Sequence, residues 1–317
     1  MSFAFVFPGQ GSQSIGMLAE LAAAEPAVRA TFAEAEQALG YDLWGLISLG
    51  PVEELNATER TQPAMLAAGV GTWRAWRDKG GAAPAVVSGH SLGEFTALVC
   101  AEALAFDATL KLVRLRGQLM QAAVPAGSGA MAAILGLEDE VIAALCREAA
   151  GGEVVEPANF NSPGQVVIAG EAGAVQRAIE AAKVHGAKRA VTLPVSVPSH
   201  TRLMRGAGER LAEALSQVAL IRPRIPFVSA VDAREHSEPD DIRATLVRQI
   251  ASPVRWTQTL RALASRGVAQ IIECGPGKVL TGLNRRIERR PDLALLAIEN
   301  PASLAAALTA TGGSSNA

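Results

Sequence analysis

The chain has 317 residues, of which 49% are hydrophobic and 19% charged, with a formal net charge of −2 at pH 7. That apolar share is ample for a packed core and excludes the disordered regime. The net charge gives no case for nucleic acid or an anionic membrane as the main partner, and neither is expected. At this length one large α/β unit with an embedded second one, or two domains, is expected. No apolar run reaches a bilayer span, and Met-Ser-Phe-Ala-Phe-Val-Phe at the start lacks a basic region and runs straight into a folded pattern. The three cysteines, Cys100, Cys146 and Cys274, are widely spaced and lie in apolar or helical contexts. They read as small buried residues of a reducing compartment rather than disulfide partners or metal ligands, and a cytoplasmic location is expected.

In chain order, Phe3–Phe7 reads as a strand ending at the tight loop Pro8-Gly9-Gln10-Gly11. An Ala-rich helical region covers about Leu18 to Leu39, and a second surrounds Ala64–Trp76. Ala85–Ser88 is a strand, followed by helices over roughly Leu92–Leu104 and Ala108–Ala122. The pattern changes near Gly127. From there strand Ala130–Leu135, helix Asp139–Ala149, strands Val154–Asn159 and Gln165–Ala169, helix Ala172–Lys183 and strand Arg189–Pro194 form βαββαβ, the split unit of ferredoxin-like domains. Helix Leu203–Val218 returns to the larger body. Strands at Ile225–Val231, Val268–Cys274 and Leu293–Ile298 follow, with helices Asp241–Ile250 and Thr257–Arg266 between the first two. Strands alternating with helices argue for a mostly parallel sheet covered on both faces. The expected division is a core of residues 1–126 and 199–317 with a small ferredoxin-like α+β unit over 127–198. The tail Gly312–Ala317 is expected to fray.

Residues 85–94, Ala-Val-Val-Ser-Gly-His-Ser-Leu-Gly-Glu, carry the most chemical information. An apolar strand breaks into Gly-x-Ser-x-Gly with Ser91 at the centre, and an Ala/Leu/Phe/Val-rich helix without Pro or Gly follows. A turn that lifts a serine out between strand and helix is sharp, so the flanking positions must be small, and Gly89 and Gly93 fill them. The helix N-terminus beside Ser91 would lend unpaired N–H groups to a developing oxyanion. The competing reading is an ordinary Gly/Ser loop in a βα connection.

A serine nucleophile needs a base, and four histidines are available. His236 lies in an acidic stretch expected on the solvated surface, and His185 precedes a glycine at a helix end, where capping suffices. His90 neighbours Ser91 and would face away from its hydroxyl, so it is expected to line the pocket. His200, in Val195-Ser-Val-Pro-Ser-His, sits at the seam between the expected units with no helix or cap duty, and is favoured as base. No strand-end acid stands between Ser91 and His200. The helix ending at Gln249–Ile250 has free backbone carbonyls that could orient an imidazole N–H instead. Arg116 falls near the middle of the apolar face formed by Leu112, Val113, Leu115, Leu119 and Met120, where a guanidinium is costly without a partner. That partner is either structural or a substrate carboxylate held bidentately. Gly275-Pro-Gly-Lys278 lacks the spacing of a phosphate loop and reads as a strand-to-helix turn.

Six ordered motifs carry a resemblance: Pro8-Gly-Gln-Gly-Ser-Gln13, Gly89-His-Ser-Leu-Gly-Glu94, Arg116-Gly-Gln-Leu-Met-Gln121, the Asn159–Gly170 segment, Val197-Pro-Ser-His200 and Gly275-Pro-Gly-Lys278. Together they make the chain resemble malonyl-CoA:acyl carrier protein transacylases of bacterial type II fatty acid synthesis, over essentially Met1 to Ala310. The resemblance implies a hydrolase-like α/β core with an inserted ferredoxin-like subdomain. It implies Ser91 as the acylated nucleophile, His200 as its base and the Gln249 main-chain carbonyl as the group orienting it. It also implies Gln10 and Leu92 N–H groups as oxyanion hole and Arg116 as the malonyl carboxylate clamp. The reaction implied is ping-pong transfer of malonyl from coenzyme A to the phosphopantetheine thiol of acyl carrier protein. No cofactor or metal is expected, and a monomer is. The alternatives are a serine thioesterase or esterase of similar architecture, and a non-catalytic carrier-protein docking module. An acidic carrier docking on a slightly negative chain needs a local basic patch. Lys183, Lys188 and Arg189, or Arg285, Arg286, Arg289 and Arg290, could form one, though either run could be an ordinary solvated face.

Overall fold

A computed structural model describes residues 2–312; the remainder of the tail expected to fray, from residue 313, lies outside the described residues. Ten strands occur among them: β1 (Phe3–Phe7), β2 (Val86–Gly89), β3 (Gly129–Leu135), β4 (Val155–Ser162), β5 (Gln165–Glu171), β6 (Arg189–Thr192), β7 (Phe227–Val228), β8 (Glu235–His236), β9 (Gln270–Cys274) and β10 (Ala294–Ile298). The larger sheet runs β10-β9-β1-β2-β7-β8, parallel except for the β7–β8 pair. The smaller runs β4-β5-β3-β6 and is antiparallel. The fold is therefore α/β, a mostly parallel sheet with a separate antiparallel one.

Strand β1 shows why the large sheet is buried on both faces. Its five residues are all buried. Phe3, Phe5 and Phe7 alternate onto one core with Trp76, while Ala4 and Val6 point to a second core with Leu260 and Ile271. Phe5 meets Trp76 edge-on with ring centroids 5.1 Å apart. In the small sheet, Ile134, Val166 and Ile168 pack beneath helices Asp139–Ala149 and Ala172–Val184. The opposite face, with Met131, Ala133 and Val167, closes one side of a cleft. Backbone bonds from Phe160 N–H to Val254 C=O (2.8 Å) and from Val254 N–H to Ala158 C=O (2.9 Å) tie β4 to the larger body beside that cleft.

Several elements differ from the sequence expectation. The helical region from Leu18 is two helices, Ala19–Ala24 and Pro26–Leu39, because Glu25 precedes a proline and takes an extended conformation. The helix after Ser91 stops at Cys100, and Glu102 turns the chain with φ 58°. The second helical region is longer, Thr58–Asp78, with Pro63 in its first turns. The strand expected over Ile225–Val231 shortens to β7, which folds back on β8. Helices Leu43–Leu49, Val52–Asn56 and Pro301–Ala310 add to the elements expected from the sequence. His236 is not a surface residue: it is 7% exposed, with Nδ1 2.5 Å from Asp241 and Nε2 3.0 Å from Asp232. Burial lowers its basicity, but the two carboxylates outweigh that and the net shift is upward.

Candidate active site

The site begins where β2 ends. Ser91 has φ 51°, left-handed backbone that a serine rarely adopts. The glycines make the turn possible by close approach. A Cβ on Gly89 would lie 1.9 Å from the Gly93 carbonyl carbon, and one on Gly93 would lie 2.0 Å from the Phe7 carbonyl oxygen. The loop after β1 packs as tightly, since a Cβ on Gly9 would lie 2.4 Å from the His90 carbonyl oxygen. The serine is thus held out at the C-terminal ends of β1 and β2, where α/β sheets place ligands.

Ser91 Oγ is 2.8 Å from His200 Nε2. The opposite ring nitrogen faces two main-chain carbonyls, Gln249 at 3.0 Å and Ser252 at 3.1 Å. Carbonyls only accept, so Nδ1 carries the hydrogen and Nε2 is left to accept from the serine. His200 is itself left-handed (φ 64°) and its N–H donates to Ile250 C=O at 3.2 Å, so the segment after helix Pro239–Gln249 fixes both backbone and ring. Burial, and then the nearby charge of Arg116, hold His200 down to about 3, so the imidazole is neutral at rest.

Arg116 lies in the same group and is 1% exposed. One terminal nitrogen donates to Gln62 Oε1 at 3.0 Å; the other donates to Gln249 Oε1 at 2.9 Å and to Ser91 Oγ at 3.2 Å. These partners are all neutral, and the buried Nε has none. Burial lowers the guanidinium to about 10, and Glu94 pulls it back up. The cleft above has a volume of about 500 Å³ and is lined by Gln10, Ser91, Leu92, Arg116, Asn161 and His200 among others. The backbone N–H groups of Gln10 and Leu92 make no hydrogen bond to the described residues. Such a set can transfer a proton from hydroxyl to imidazole, stabilise an oxyanion on free N–H groups and bind an anion on a buried cation.

The structure therefore brings the residues singled out from the sequence together: Ser91, His200, Arg116, Gln10 and Leu92 line one cleft, and Gln249 lies buried behind it, bonded to Arg116, His200 and the Ser91 carbonyl. His90 lines the cleft, with Nε2 2.9 Å from Asn161 Oδ1. The sequence reading missed Gln62, Glu94, Asn161 and Ser252. It also missed the side chain of Gln249, whose amide nitrogen donates to the Ser91 carbonyl (3.0 Å) and to Glu94 (2.6 Å). Gln62 follows the polar run Thr58-Glu-Arg-Thr and Glu94 lies in the first turn of a helix, so neither stands out in the sequence. Among the described residues no cluster of His, Cys, Asp and Glu could hold a metal ion, and no helix is long and apolar enough to cross a membrane.

The acyl transferase domain family matches residues 4–292. A malonyl CoA-acyl carrier protein transacylase of Salmonella typhimurium is 55% identical over 307 residues, 97% of this chain and 99% of that one. A crystal structure of an acyl carrier protein S-malonyltransferase from Vibrio cholerae superposes with a TM-score of 0.93 at 56% identity, covering 97% of this chain and all of that one. A malonyl-transacylase solved in complex with a holo type II PKS acyl-carrier protein superposes with a TM-score of 0.96 at 54% identity, over 98% of this chain and all of that one.

Proposed function

The chain belongs to the acyl transferase domain family, and from that premise we propose that the cleft around Ser91 transfers malonyl groups through a covalent serine ester. The protein is a malonyl-CoA:acyl carrier protein S-malonyltransferase. The observation that carries the residue assignment is the 2.8 Å contact between Ser91 and a neutral His200, with a buried Arg116, bonded only to neutral side chains, touching the same hydroxyl.

In the first half-reaction Ser91 Oγ attacks the thioester carbonyl of malonyl-CoA while its proton passes to His200 Nε2. The oxyanion forms against the N–H groups of Gln10 and Leu92. Collapse breaks the carbon–sulfur bond, and the coenzyme A thiolate leaves with the proton from His200. In the second half the carrier's phosphopantetheine thiol gives its proton to His200 and attacks the malonyl-serine ester; collapse breaks the carbon–oxygen bond, and Ser91 Oγ leaves with the proton from His200 as the malonyl thioester of the carrier forms. Two main-chain carbonyls stand where a triad would have an acid, so imidazolium is stabilised only weakly. A thioester, with its good leaving group, suits that weaker base. The malonyl carboxylate binds Arg116 by displacing neutral acceptors. In doing so it cancels part of the charge that depresses His200, so the correct substrate strengthens the base that acts on it. No cofactor takes part. The relatives support this reading and do not support the thioesterase or docking-module alternatives.

We further assign residues 127–198 as the small subdomain between two parts of the core. The antiparallel sheet, whose strands all fall within Gly129–Thr192, supports that division. Acyl carrier protein is the partner, as in the complex of the similar transacylase; a cytoplasmic monomer is the state proposed. For docking, Arg285 and Arg286 lie exposed on helix Val279–Ile287, and Arg286 donates to Gln165 at the cleft edge (2.5 Å). Lys188 packs on Gly136, whose N–H bonds Gly164 in the turn next to Gln165. The Arg285–Arg286 run thus reaches a residue that lines the cleft, whereas Lys183 lies on the helix that covers the other face of the small sheet.

Intact-mass analysis after brief exposure to malonyl-CoA tests the nucleophile: one malonyl adduct is expected, absent in Ser91→Ala. An adduct that persists in Ser91→Ala places the nucleophile elsewhere. Arg116→Ala should lower kcat/KM for malonyl-CoA by about 2–3 kcal/mol equivalent and acetyl-CoA, which has no free carboxylate, much less. Equal losses would make Arg116 structural.

A further inference from the structure

The Ser91–His200 pair has no carboxylate behind its imidazole, yet one residue, Gln249, separates a carboxylate from Arg116, from the Ser91 backbone and from His200. Glu94, on helix Gly93–Cys100, is fully buried. Three donors converge on it. Ser229 Oγ (2.9 Å) and Ala230 N–H (2.5 Å) meet one oxygen, and the Gln249 amide nitrogen (2.6 Å) meets the other. That amide's own oxygen accepts from Arg116 at 2.9 Å, its nitrogen also donates to Ser91 C=O, and the Gln249 main-chain carbonyl accepts from His200. Gln249 therefore stands between a buried anion and a buried cation that do not touch.

We infer that Glu94 is a positioning residue and the displaced counter-ion of Arg116: it orients the Gln249 amide, and it holds positive charge in the interior without occupying the N–H groups a substrate carboxylate needs. The inference rests on reading Arg116 as the malonyl clamp. A buried guanidinium needs a counter-charge, but a direct ion pair would already fill its donors. An incoming carboxylate would then have to displace another carboxylate. With an amide as spacer it displaces a neutral acceptor, and the net charge of Arg116 stays available. Consistent with this, Glu94 is the group that draws Arg116 back up against burial.

Hydrogen-bond polarity makes the arrangement one-way. A carboxylate only accepts, so the amide must turn its NH2 to Glu94 and its oxygen to Arg116. A glutamine at 94 must keep its oxygen toward the fixed Ala230 N–H and so presents NH2 to Gln249. Gln249 then has to flip, setting its NH2 against the guanidinium, donor to donor. Exchanging the two residues restores the polarity that runs from position 94 to Arg116, since Gln at 94 donates to Glu at 249, which accepts from Arg116; only the donor to Ser91 C=O is lost. It also places the carboxylate directly on the arginine.

The experiment compares wild type, Glu94→Gln, the double variant Glu94→Gln/Gln249→Glu and Arg116→Ala, with kcat and KM for malonyl-CoA and acetyl-CoA normalised to titrated active sites, and with Tm. Glu94→Gln is expected to lower malonyl kcat/KM by about tenfold or more, the scale of one hydrogen bond to a charged group, chiefly through KM and with a much smaller change for acetyl-CoA. The double variant is expected to regain Tm while its malonyl KM stays high, because Glu at 249 now neutralises Arg116. A purely structural Glu94 would lower Tm and leave the malonyl-to-acetyl ratio untouched, and that result overturns the inference. So does a double variant with wild-type malonyl KM, which carries the test by itself if Glu94→Gln does not fold. If Arg116→Ala leaves malonyl preference intact, the clamp reading fails. If Arg116→Ala removes that preference while both Glu94 variants keep it, this inference alone fails.

Discussion

Two strands of the large sheet, β2 and β9, end in glycine-rich turns that lead into helices, and each turn has a fully buried glutamate beside it. Only one carries the proposed nucleophile. At Gly89–Gly93 the turn throws Ser91 outward, and Glu94 spends one oxygen on Gln249, 155 residues away. At Gly275–Lys278 the turn packs inward against Pro8, Gly69 and Ser12. There Glu273 spends both oxygens on its own helix start, Leu280 N–H (3.1 Å), Thr281 N–H (2.7 Å) and the Thr281 hydroxyl (2.7 Å). Burial pushes both carboxyls up to about 7. A glycine-rich turn and a buried acid are thus ordinary devices for starting a helix beneath a sheet. What separates the two is which distant side chains the rest of the fold brings over the turn.

The comparison breaks most sharply at the glycines. Gly89→Ala should destroy the elbow and with it the malonyl adduct, since its Cβ overlaps backbone that cannot move. Gly277→Ala, whose Cβ would lie 3.3 Å from the Ser12 carbonyl oxygen at φ +80°, should cost about 1–2 kcal/mol of stability and leave the adduct in place. Loss of acylation in a folded Gly277→Ala would erase the distinction.

A second, smaller effect separates main chain from side chain. His200→Ala should reduce transfer by about 10²–10⁴-fold, the range for a general base. Gln249→Ala keeps the carbonyl that orients His200 but strips the amide from Arg116, Ser91 and Glu94. Its expected loss is therefore intermediate, and larger for malonyl- than acetyl-CoA. A Gln249→Ala enzyme as active as wild type would mean that only the main chain matters.

The second turn contributes surface rather than chemistry, because the helix it starts carries Arg285 and Arg286. Charge reversal there should raise KM for acyl carrier protein severalfold while sparing acylation by malonyl-CoA, and the effect should shrink as salt rises. Unchanged carrier KM at low ionic strength, after reversal at both this cluster and Lys183, Lys188 and Arg189, would remove the docking assignment.

The smallest effect is on stability. His236 sits between Asp232 and Asp241 in the segment just after Ser229 and Ala230, the donors to Glu94. Its folded pKa is raised, so its contribution is complete below the unfolded value near 6.5 and is lost as pH rises through the folded value. The Tm gap between wild type and His236→Gln should be wider near pH 6 than near pH 8.5. A gap independent of pH would show that the two aspartates do not hold a cation.

The sequence by itself determined the parts that depend on near neighbours. Strand, glycine, serine, glycine and helix in succession specify the elbow, because the close approach of Gly89 to Gly93 spans four residues. Helical periodicity put Arg116 on the buried face of Phe106–Ala122, and the lack of any local duty marked His200. Tertiary structure decided whom those residues meet. Periodicity tells that a side chain points inward but not what lies opposite, so the neutral partners of Arg116, the second carbonyl on His200 and the whole Glu94–Gln249 relay were invisible. The burial of His236 was hidden for the same reason: an acidic stretch reads as solvated until β7 and β8 pair and fold two aspartates around it. Glu94 shows the limit most clearly. A glutamate in the first turn of a helix has a sufficient local explanation in the helix dipole, and only the packing of residues 229–230 and 249 against it turns that carboxylate toward the site.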